Sequence, residues 1–378
     1  MIYTDFCGEK TSLLGLGGMR LPKLENGEID KPQVAEMLEH AFSGGLNYID
    51  TAWPYHDGKS ELVLGELLEK YPRESYFLAD KFPGHQHLKD SHPQEIFEKQ
   101  LKKCTTEYYD FYLLHNVAER TAGVYEDPQW GIIEHFLEQK KLGRIRYLGF
   151  SCHGRVPLLK AFLERHSDEM EFCQIQFNYL DWTLQSAKEK YELLKSYNMP
   201  IIVMEPIRGG KLADDVDSAF RWIQRFDQIR VVLSGMSNPE QLGQNLRIFS
   251  ERKPLGDQET EKLLEKAESL KQGVPCTRCE YCKAGCPMQL DIPELIAAYN
   301  DAKVYKSINV SMFLESLPED KLPGACIGCG ACEGICPQKI DIPEVMREFA
   351  GMKLDSWAEI CKQRNEAAKR IENGEYKS

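Results

Sequence analysis

Residues 47–68 read NYIDTAWPYHDGKSELVLGELL. The stretch opens with a short apolar run and continues, after a turn that contains Pro54 and Gly58, into a longer apolar segment with helical spacing. A strand followed by a helix is the unit from which parallel sheets are built. The same unit recurs through roughly the first 250 residues, so it indicates the architecture of most of the chain.

Eight short runs rich in β-branched and aromatic residues read as strands. They end near Gly17, Ala52, Phe82, His115, Ser151, Asn178, Glu205 and Gly235. Eight strands with intervening helices predict an α/β fold, a closed (β/α)8 TIM barrel. Residues 3–14 predict a small hairpin before the first strand. Asn238 predicts the start of a helix, with proline at its first position and Gln241 completing a capping box.

A repeat of 50 residues follows the barrel. CTRCEYCKAGCPMQLDIPEL (276–295) recurs as CIGCGACEGICPQKIDIPEV (326–345). Each copy contains C-x2-C-x2-C-x3-C-P, the spacing at which three thiolates bind one 4Fe-4S cluster and the fourth reaches a neighbouring cluster. Zinc is the rival interpretation, because sets of thiolates at such spacings also suit tetrahedral sites. Two complete runs, each followed by proline, favour two 4Fe-4S clusters.

The spacing predicts an exchange of ligands between the two motifs. One cluster is assigned Cys276, Cys279, Cys282 and Cys336, and the other is assigned Cys326, Cys329, Cys332 and Cys286. Asp291 and Asp341 follow the motifs and predict a helix start after each. The segment resembles the helical two-cluster ferredoxin modules of respiratory iron-sulfur subunits, and that resemblance implies electron transfer between the clusters.

Composition and charge limit the class of protein. The chain has 47 Lys and Arg against 59 Asp and Glu, a formal net charge of −12, which disfavours nucleic acid and anionic membranes as partners. No stretch approaches the ~20 apolar residues of a membrane span, and no leader peptide is evident. We therefore expect a cytoplasmic protein whose 13 cysteines serve metal or redox chemistry.

The alternation of predicted strands and helices ends near residue 255, where a charged helical segment and then the cysteine motifs follow. We expect residues 1–255 to form the barrel and residues 256–378 to form a smaller, mainly helical ferredoxin-like domain that ends in a charged helix. The first of these domains contains the polar residues that end strands, and the second contains the eight cysteines.

Polar residues at strand ends matter because barrel enzymes carry their chemistry there. Asp50, Lys81 and His115 end three successive strands, and Tyr55 lies in the first of the following loops. Taken singly, each suits a capping, core or surface role. Together they form a general-acid constellation in which Lys81, paired with Asp50, lowers the pKa of Tyr55 while His115 orients a carbonyl.

At this point the sequence resembles the aldo-keto reductase family: DTAWPY followed by SELVLGELL, then the lysine strand, then FYLLH. The resemblance implies that Asp50, Tyr55, Lys81 and His115 are the catalytic tetrad of a carbonyl reductase that uses NADPH or NADH. It also implies a set of cofactor contacts. These are Ser151, Gln176, Met204, Arg208, Gly209, Gly210, Gly235, Met236, Ser237, Gln241 and Asn245.

The sequence departs from the family pattern at several of these positions. Gln241 stands where NADP-preferring members carry an arginine for the 2′-phosphate, and Gly235 replaces a lysine; Arg208 is expected to compensate. Met204 stands where a tyrosine usually stacks on the nicotinamide, and Cys152 stands where asparagine is common. These departures leave the choice between NADPH and NADH open.

Hydride chemistry moves two electrons and each cluster passes one, so a direct relay needs a converter such as a flavin, for which no dedicated motif is present. One hypothesis is a reductase of an aldehyde, ketone or quinone with an appended two-cluster module. A second is a one-electron relay between an external ferredoxin or flavoprotein and a flavin or quinone in the barrel. A third is a redox scaffold with structural clusters, which the intact tetrad disfavours. The first two are not separated by sequence.

Overall fold

The computed structural model describes residues 1–84, 92–119, 121–270, 273–276, 280–304, 308–336 and 338–372. Within these ranges no helix combines the length and apolar character needed to cross a lipid bilayer.

Eight parallel strands close into a barrel at the predicted positions. They are β3 (Leu14–Gly17), β4 (Tyr48–Asp50), β5 (Phe77–Phe82), β6 (Tyr109–Val117), β7 (Ile145–Cys152), β8 (Cys173–Gln176), β9 (Ile201–Met204) and β10 (Ile229–Ser234). The barrel closes where Val232 of β10 lies opposite Leu14 of β3. The predicted (β/α)8 barrel is therefore confirmed.

The predicted hairpin is also confirmed, as β1 (Tyr3–Phe6) paired with β2 (Glu9–Ser12). Phe6 at the end of β1 is fully buried and stacks on Phe111 of β6 with ring centroids 4.4 Å apart. Phe6 shares its core cluster with Tyr48 of β4 and with Phe172, which directly precedes β8. The hairpin therefore supplies a side chain to the barrel interior.

Ten helices accompany the barrel strands in the described part of the chain. They are α1 (Lys31–Ser43), α2 (Ser60–Leu68), α3 (Pro93–Lys103), α4 (Ala122–Tyr125), α5 (Ile132–Lys141), α6 (Val156–His166), α7 (Asp181–Leu184), α8 (Ala187–Ser196), α9 (Val216–Ile223) and α10 (Pro239–Ile248). The side chain of Asn238 accepts from the N–H of Gln241 at 2.9 Å, as expected of an N-cap. The Gln241 side chain differs from the prediction, because it accepts from the N–H of Ser237 rather than from that of Asn238.

The remaining described helices form the C-terminal part of the molecule. They are α11 (Asp257–Leu270), α12 (Tyr281–Ala284), α13 (Ile292–Val304), α14 (Ile308–Ser316), α15 (Ile342–Ala350) and α16 (Trp357–Glu372). Leu263 and Ala267 of α11 join the barrel core, so this helix packs on the barrel although its sequence is in the predicted second domain. The boundary at residue 255 stays a prediction.

The 50-residue repeat forms one apolar core. Five buried residues after the first cysteine motif have a buried counterpart 50 positions later in the same cluster. The pairs are Leu290 and Ile340, Ile292 and Ile342, Leu295 and Val345, Ile296 and Met346, and Tyr299 and Phe349. Helices α13 and α15, which follow the two motifs, therefore pack together in a shared core.

The helical domain lies against the carboxyl ends of the barrel strands. Asn309 of α14 donates to the side-chain oxygen of Gln176 at 3.1 Å. Asn116, at the end of β6, donates to the sulfur of Met312 at 3.6 Å. The C-terminal helix α16 packs on the 3-10 turn Tyr55–Gly58. The domain that carries the cysteines therefore covers part of the barrel face on which chemistry is expected.

Candidate active site and cluster sites

Four polar residues from three neighbouring strand ends meet at the barrel mouth. The Lys81 ammonium donates to Asp50 Oδ1 at 2.6 Å, to the carbonyl of Thr51 at 2.7 Å and to the Tyr55 hydroxyl at 3.2 Å. Lys81 is fully buried, and Asp50 is 2% exposed. The ring of Tyr55 lies edge-on to that of His115, with centroids 6.1 Å apart. The structure thus brings together all four side chains that the sequence singled out.

The register of the barrel explains this convergence. Asp50 on β4 lies opposite Ala79 on β5, two residues before Lys81, so both side chains point to the same side of the sheet. Burial lowers the pKa of the Lys81 ammonium, while Asp50 and the Tyr55 hydroxyl raise it, and the net direction is upward. Lys81 therefore stays charged in a fully buried position.

Burial raises the pKa of Tyr55, and the Lys81 ammonium opposes that rise only in part. The expected net lowering of the Tyr55 pKa is therefore wrong for this arrangement, because removing the phenol from water disfavours its charged form more than the lysine favours it. A phenol with a raised pKa holds its proton throughout the neutral range. That state is the one a proton donor requires.

His56 is a residue that the sequence analysis missed. Its Nε2 accepts from the N–H of Leu21 at 3.0 Å, which ties the Tyr55 loop to the segment after β3. Both His56 and Asp57 have left-handed backbone, with φ of 52° and 57°. Burial lowers the pKa of His56 to about 4, so its ring is a neutral acceptor at pH 7. Its position next to Tyr55 was the available signal.

Two of the candidate nicotinamide contacts lie on adjacent strands. Ser151 on β7 accepts from the N–H of Asn116 at 2.7 Å. Gln176 on β8 donates to Asp181 at 2.7 Å and accepts from Asn309 of the helical domain. Met204 lies beside Gln176 in the β8–β9 register. These side chains form one row along the strand ends.

Arg208 occupies a more restricted position than the sequence predicts. It is 1% exposed, and its guanidinium pairs with Asp181 at 3.0 Å and with Asp301 of α13. At this degree of burial the guanidinium is not accessible to a nucleotide phosphate without a rearrangement of the residues around it. Asp181, which also binds Gln176, is a second residue that the sequence analysis missed; its signal was its place five residues after Gln176.

The remaining cofactor candidates surround the loops after β9 and β10. Gly209 and Gly210 have φ of 62° and 98°, so this turn requires left-handed backbone. A Cβ on Gly235 would lie 2.9 Å from the Cβ of Arg20. Met236 and Asn245 are buried, and Asn245 donates to Ser234 at 2.9 Å. Ser237 and Gln241 are exposed at the start of α10, where backbone N–H groups favour anions.

The cysteines separate into the two sets that the spacing predicts. Cys286, Cys326, Cys329 and Cys332 line one cavity of about 340 Å³. Cys276, Cys282 and Cys336 line a second cavity of about 310 Å³. Cys279, assigned to the second set, lies outside the described residues. Each described set therefore contains one cysteine from the opposite motif.

The residues around both cavities fit an iron-sulfur cluster. In the described parts of the chain, no three His, Cys, Asp or Glu side chains are arranged to hold a single metal ion. The described cysteines of each set surround a mainly apolar space, which suits a polynuclear cluster with thiolate ligands. Gly328 and Gly330 have φ of 67° and 71°, which lets the loop wrap around that space.

Comparison with known proteins adds two family matches. Residues 13–219 match the model of the Aldo/keto reductase family, and residues 275–340 match that of the 4Fe-4S dicluster domain. A "Probable aldo-keto reductase 1" of Glycine max is 28% identical over 214 residues, 54% of this chain and 58% of the relative. The match thus spans less than two thirds of that relative's length.

Two further proteins are similar over a comparable region. The "NADH-specific methylglyoxal reductase" of Escherichia coli (strain K12) is 24% identical over 233 residues, 55% of this chain and 69% of the relative. The holo form of the aldo-keto reductase AKR11C1 from Bacillus halodurans superposes with a TM-score of 0.57 at 23% identity, covering 71% of this chain and 96% of that one. The structural likeness shows the shared barrel fold.

Proposed function

Because this chain belongs to the aldo/keto reductase family, we propose that it reduces a carbonyl group of a small molecule, an aldehyde, a ketone or a quinone, with NADPH or NADH as hydride donor. The observation that carries the proposal is the Lys81 ammonium, held between the Asp50 carboxylate and the Tyr55 hydroxyl. The relative named for NADH-specific reduction of methylglyoxal supports a small carbonyl substrate.

In this proposal the nicotinamide cofactor supplies a hydride when bound. Tyr55 donates its proton to the carbonyl oxygen, and its raised pKa keeps that proton available. Lys81 stabilises the tyrosinate left behind, since its ammonium lies 3.2 Å from the hydroxyl oxygen. Asp50 holds Lys81 in place, and His115, edge-on to Tyr55, orients the carbonyl.

The row of strand-end side chains and the loops after β9 and β10 are proposed to hold the cofactor. Ser151 and Gln176 suit a carboxamide, because each offers a polar side-chain atom at the barrel mouth. The turn at Gly209 and Gly210 and the start of α10 suit phosphate oxygens. Arg208 is a phosphate contact only if a rearrangement makes its buried guanidinium accessible.

The eight cysteines are proposed to hold two 4Fe-4S clusters, each of which passes one electron when bound. Contacts of α14 with Asn116 and Gln176 place the cluster domain directly on the row of strand ends. This placement supports electron exchange between the clusters and a barrel-bound group more than it supports a distant structural role. A ferredoxin or flavoprotein is the proposed external partner.

The proposal is tested with anaerobically reconstituted full-length protein. Tyr55→Phe removes the proton donor and should lower kcat for carbonyl reduction about 100-fold or more without weakening NADPH or NADH binding. Tyr3→Phe, in the hairpin on β1, is the matched control and should keep full activity. If Tyr55→Phe kept the activity of the wild type, the assignment of the tetrad would be refuted. Bleaching of the ~400 nm cluster absorbance by the nicotinamide alone would favour the relay over a docking or structural module.

A further inference from the structure

A cavity of about 940 Å³, part of it open to solvent, lies between the barrel and the helical domain. One wall comes from the segments after β6 and β7 and from α8. The other wall comes from α13 and α14. Asp50, Tyr55, Lys81 and His115 are not among the described residues that line it. The cavity is therefore separate from the tetrad, although Asp301 and Asn309 in its wall contact Arg208 and Gln176.

Lys190 of α8 lines this cavity and is only 6% exposed. Among the described residues its ammonium has no hydrogen-bond acceptor and no ion-pair partner. A buried lysine is ordinarily paired, because removing an ammonium from water is costly. The Lys190 side chain is therefore positioned to pair with an anion that enters the cavity.

The other charged groups around the cavity are already paired. Arg155 lies 3.2 Å from Glu119 and 3.3 Å from Glu294. Asp301 pairs with Arg208 and accepts from Gln185. Glu119, Glu294 and Asp301 therefore have an arginine as their cationic partner. None of these carboxylates pairs with Lys190, whose ammonium is available to a ligand.

His153 also lines the cavity and adds a neutral hydrogen-bonding group. Burial lowers its pKa to about 4, and the charge of Lys190 acts in the same direction. The ring is consequently uncharged at pH 7, with one N–H donor. A lysine charge beside a neutral donor is suited to carboxylate or phosphate oxygens.

The rest of the wall is mainly apolar. Ala297 and Ala298 face the cavity from α13, and Val310 and Phe313 face it from α14. Such a surface favours an organic body over an inorganic ion. Two other residues of α13, Pro293 and Ile296, line the cavity of Cys276, Cys282 and Cys336. A ligand would lie about one helix diameter, ~10–12 Å, from that cluster site.

We propose that this interdomain cavity binds a small organic anion, a carboxylate or phosphate ester with an apolar body, and that Lys190 pairs with its charge. The cavity shares no residue with the tetrad, so the proposal does not rest on the chemistry assigned to Tyr55. A bound anion would contact both domains, α8 on one side and α13 and α14 on the other.

The test uses calorimetric titration of reconstituted full-length protein with benzoate, phenyl phosphate and the neutral benzamide. At least one anion should bind about 10-fold or more tightly than benzamide, and the better of the two identifies carboxylate or phosphate as the preferred group. Lys190→Met should abolish the preference for the anion. Lys188→Met, an exposed lysine on the same helix, should retain it.

The proposal is overturned if neither anion binds wild-type protein more tightly than benzamide does, or if the preference survives in Lys190→Met. The wild-type comparison needs no variant, so a folding defect would not prevent a decision.

Discussion

The Lys81 ammonium donates to a carboxylate, a backbone carbonyl and a phenol at the same time. The same group therefore stabilises the fold and contacts the proposed proton donor. The four tetrad residues could be predicted because their types and order along the chain point to proton transfer. For His56 and Asp181 the sequence offered only their closeness to Tyr55 and Gln176, because their roles depend on contacts with Leu21 and Arg208 from distant segments. The direction of the Tyr55 pKa also required knowledge of its burial.

Lys81→Met should destabilise the protein by about 3–5 kcal/mol near neutral pH, because it leaves the Asp50 carboxylate buried without its cation. Burial already raises the pKa of Asp50, and Lys81 is what opposes that rise. Without Lys81, the pKa of Asp50 in the folded protein exceeds its pKa in the unfolded chain by more than it does in the wild type. Folding of the variant therefore favours the protonated form of Asp50. The loss of stability should therefore be smallest at low pH and grow as pH rises through the folded-state pKa.

Urea unfolding at about pH 5 and about pH 8 measures this dependence. The double variant Asp50→Asn/Lys81→Met removes both charges and should recover part of the stability at the higher pH. A loss that is equal at both pH values would show that the cost comes from packing rather than from the unpaired carboxylate.

At the scale of elements, local chemistry explains most boundaries. In α10, Pro239 at the first helical position follows the N-cap residue Asn238. In α15, Asp341 is the N-cap residue and Pro343 lies in the first turn. In both helices the side chain of the N-cap residue accepts from the backbone N–H of the residue three positions later. The cysteine motifs likewise stop before α13 and α15. Side-chain packing explains the positions of elements that the capping residues do not explain. Helix α11 belongs to the barrel surface because Leu263 and Ala267 fit the barrel core.

Asn238→Ala should cost about 1 kcal/mol, since it removes the acceptor for the N–H of Gln241. The same change should weaken NADPH or NADH binding if the start of α10 holds a phosphate, because the helix would fray there. Thermal unfolding and a binding titration measure the two effects. Gln244→Ala, in the same helix, should change stability by no more than about 0.5 kcal/mol. An equal loss in both variants would contradict the capping role.

At the scale of the whole molecule, the two domains share an interface that contains polar and charged groups. Arg208 joins Asp181 of the barrel to Asp301 of α13, and Asn309 reaches Gln176. Residues proposed to bind the nicotinamide thus also contact the cluster domain. A rearrangement of one domain on cofactor binding would therefore change its contacts with the other domain.

Cys286→Ser should damage the cluster that is held mainly by the second motif, because Cys286 lines a cavity with Cys326, Cys329 and Cys332. Iron analysis should show the loss of up to half the iron, and Cys336→Ser should affect the other cluster. Resolved cluster signals in electron paramagnetic resonance distinguish the two. Cys7→Ser, in the turn of the N-terminal hairpin, is the control and should keep full iron. If Cys286→Ser disrupted instead the cluster of its own motif, the exchange of ligands would be refuted.

The sequence by itself determined the eight strands, the tetrad and the two cysteine motifs, because hydrophobic period, residue type and spacing are local properties of the chain. Only the tertiary structure decided the commitment of Arg208 to two carboxylates and the cavity around Lys190. These depend on side chains that are far apart in sequence, and burial and charge at such contacts follow from how the two domains pack. The packing also decided that the cysteine-bearing domain covers part of the barrel mouth.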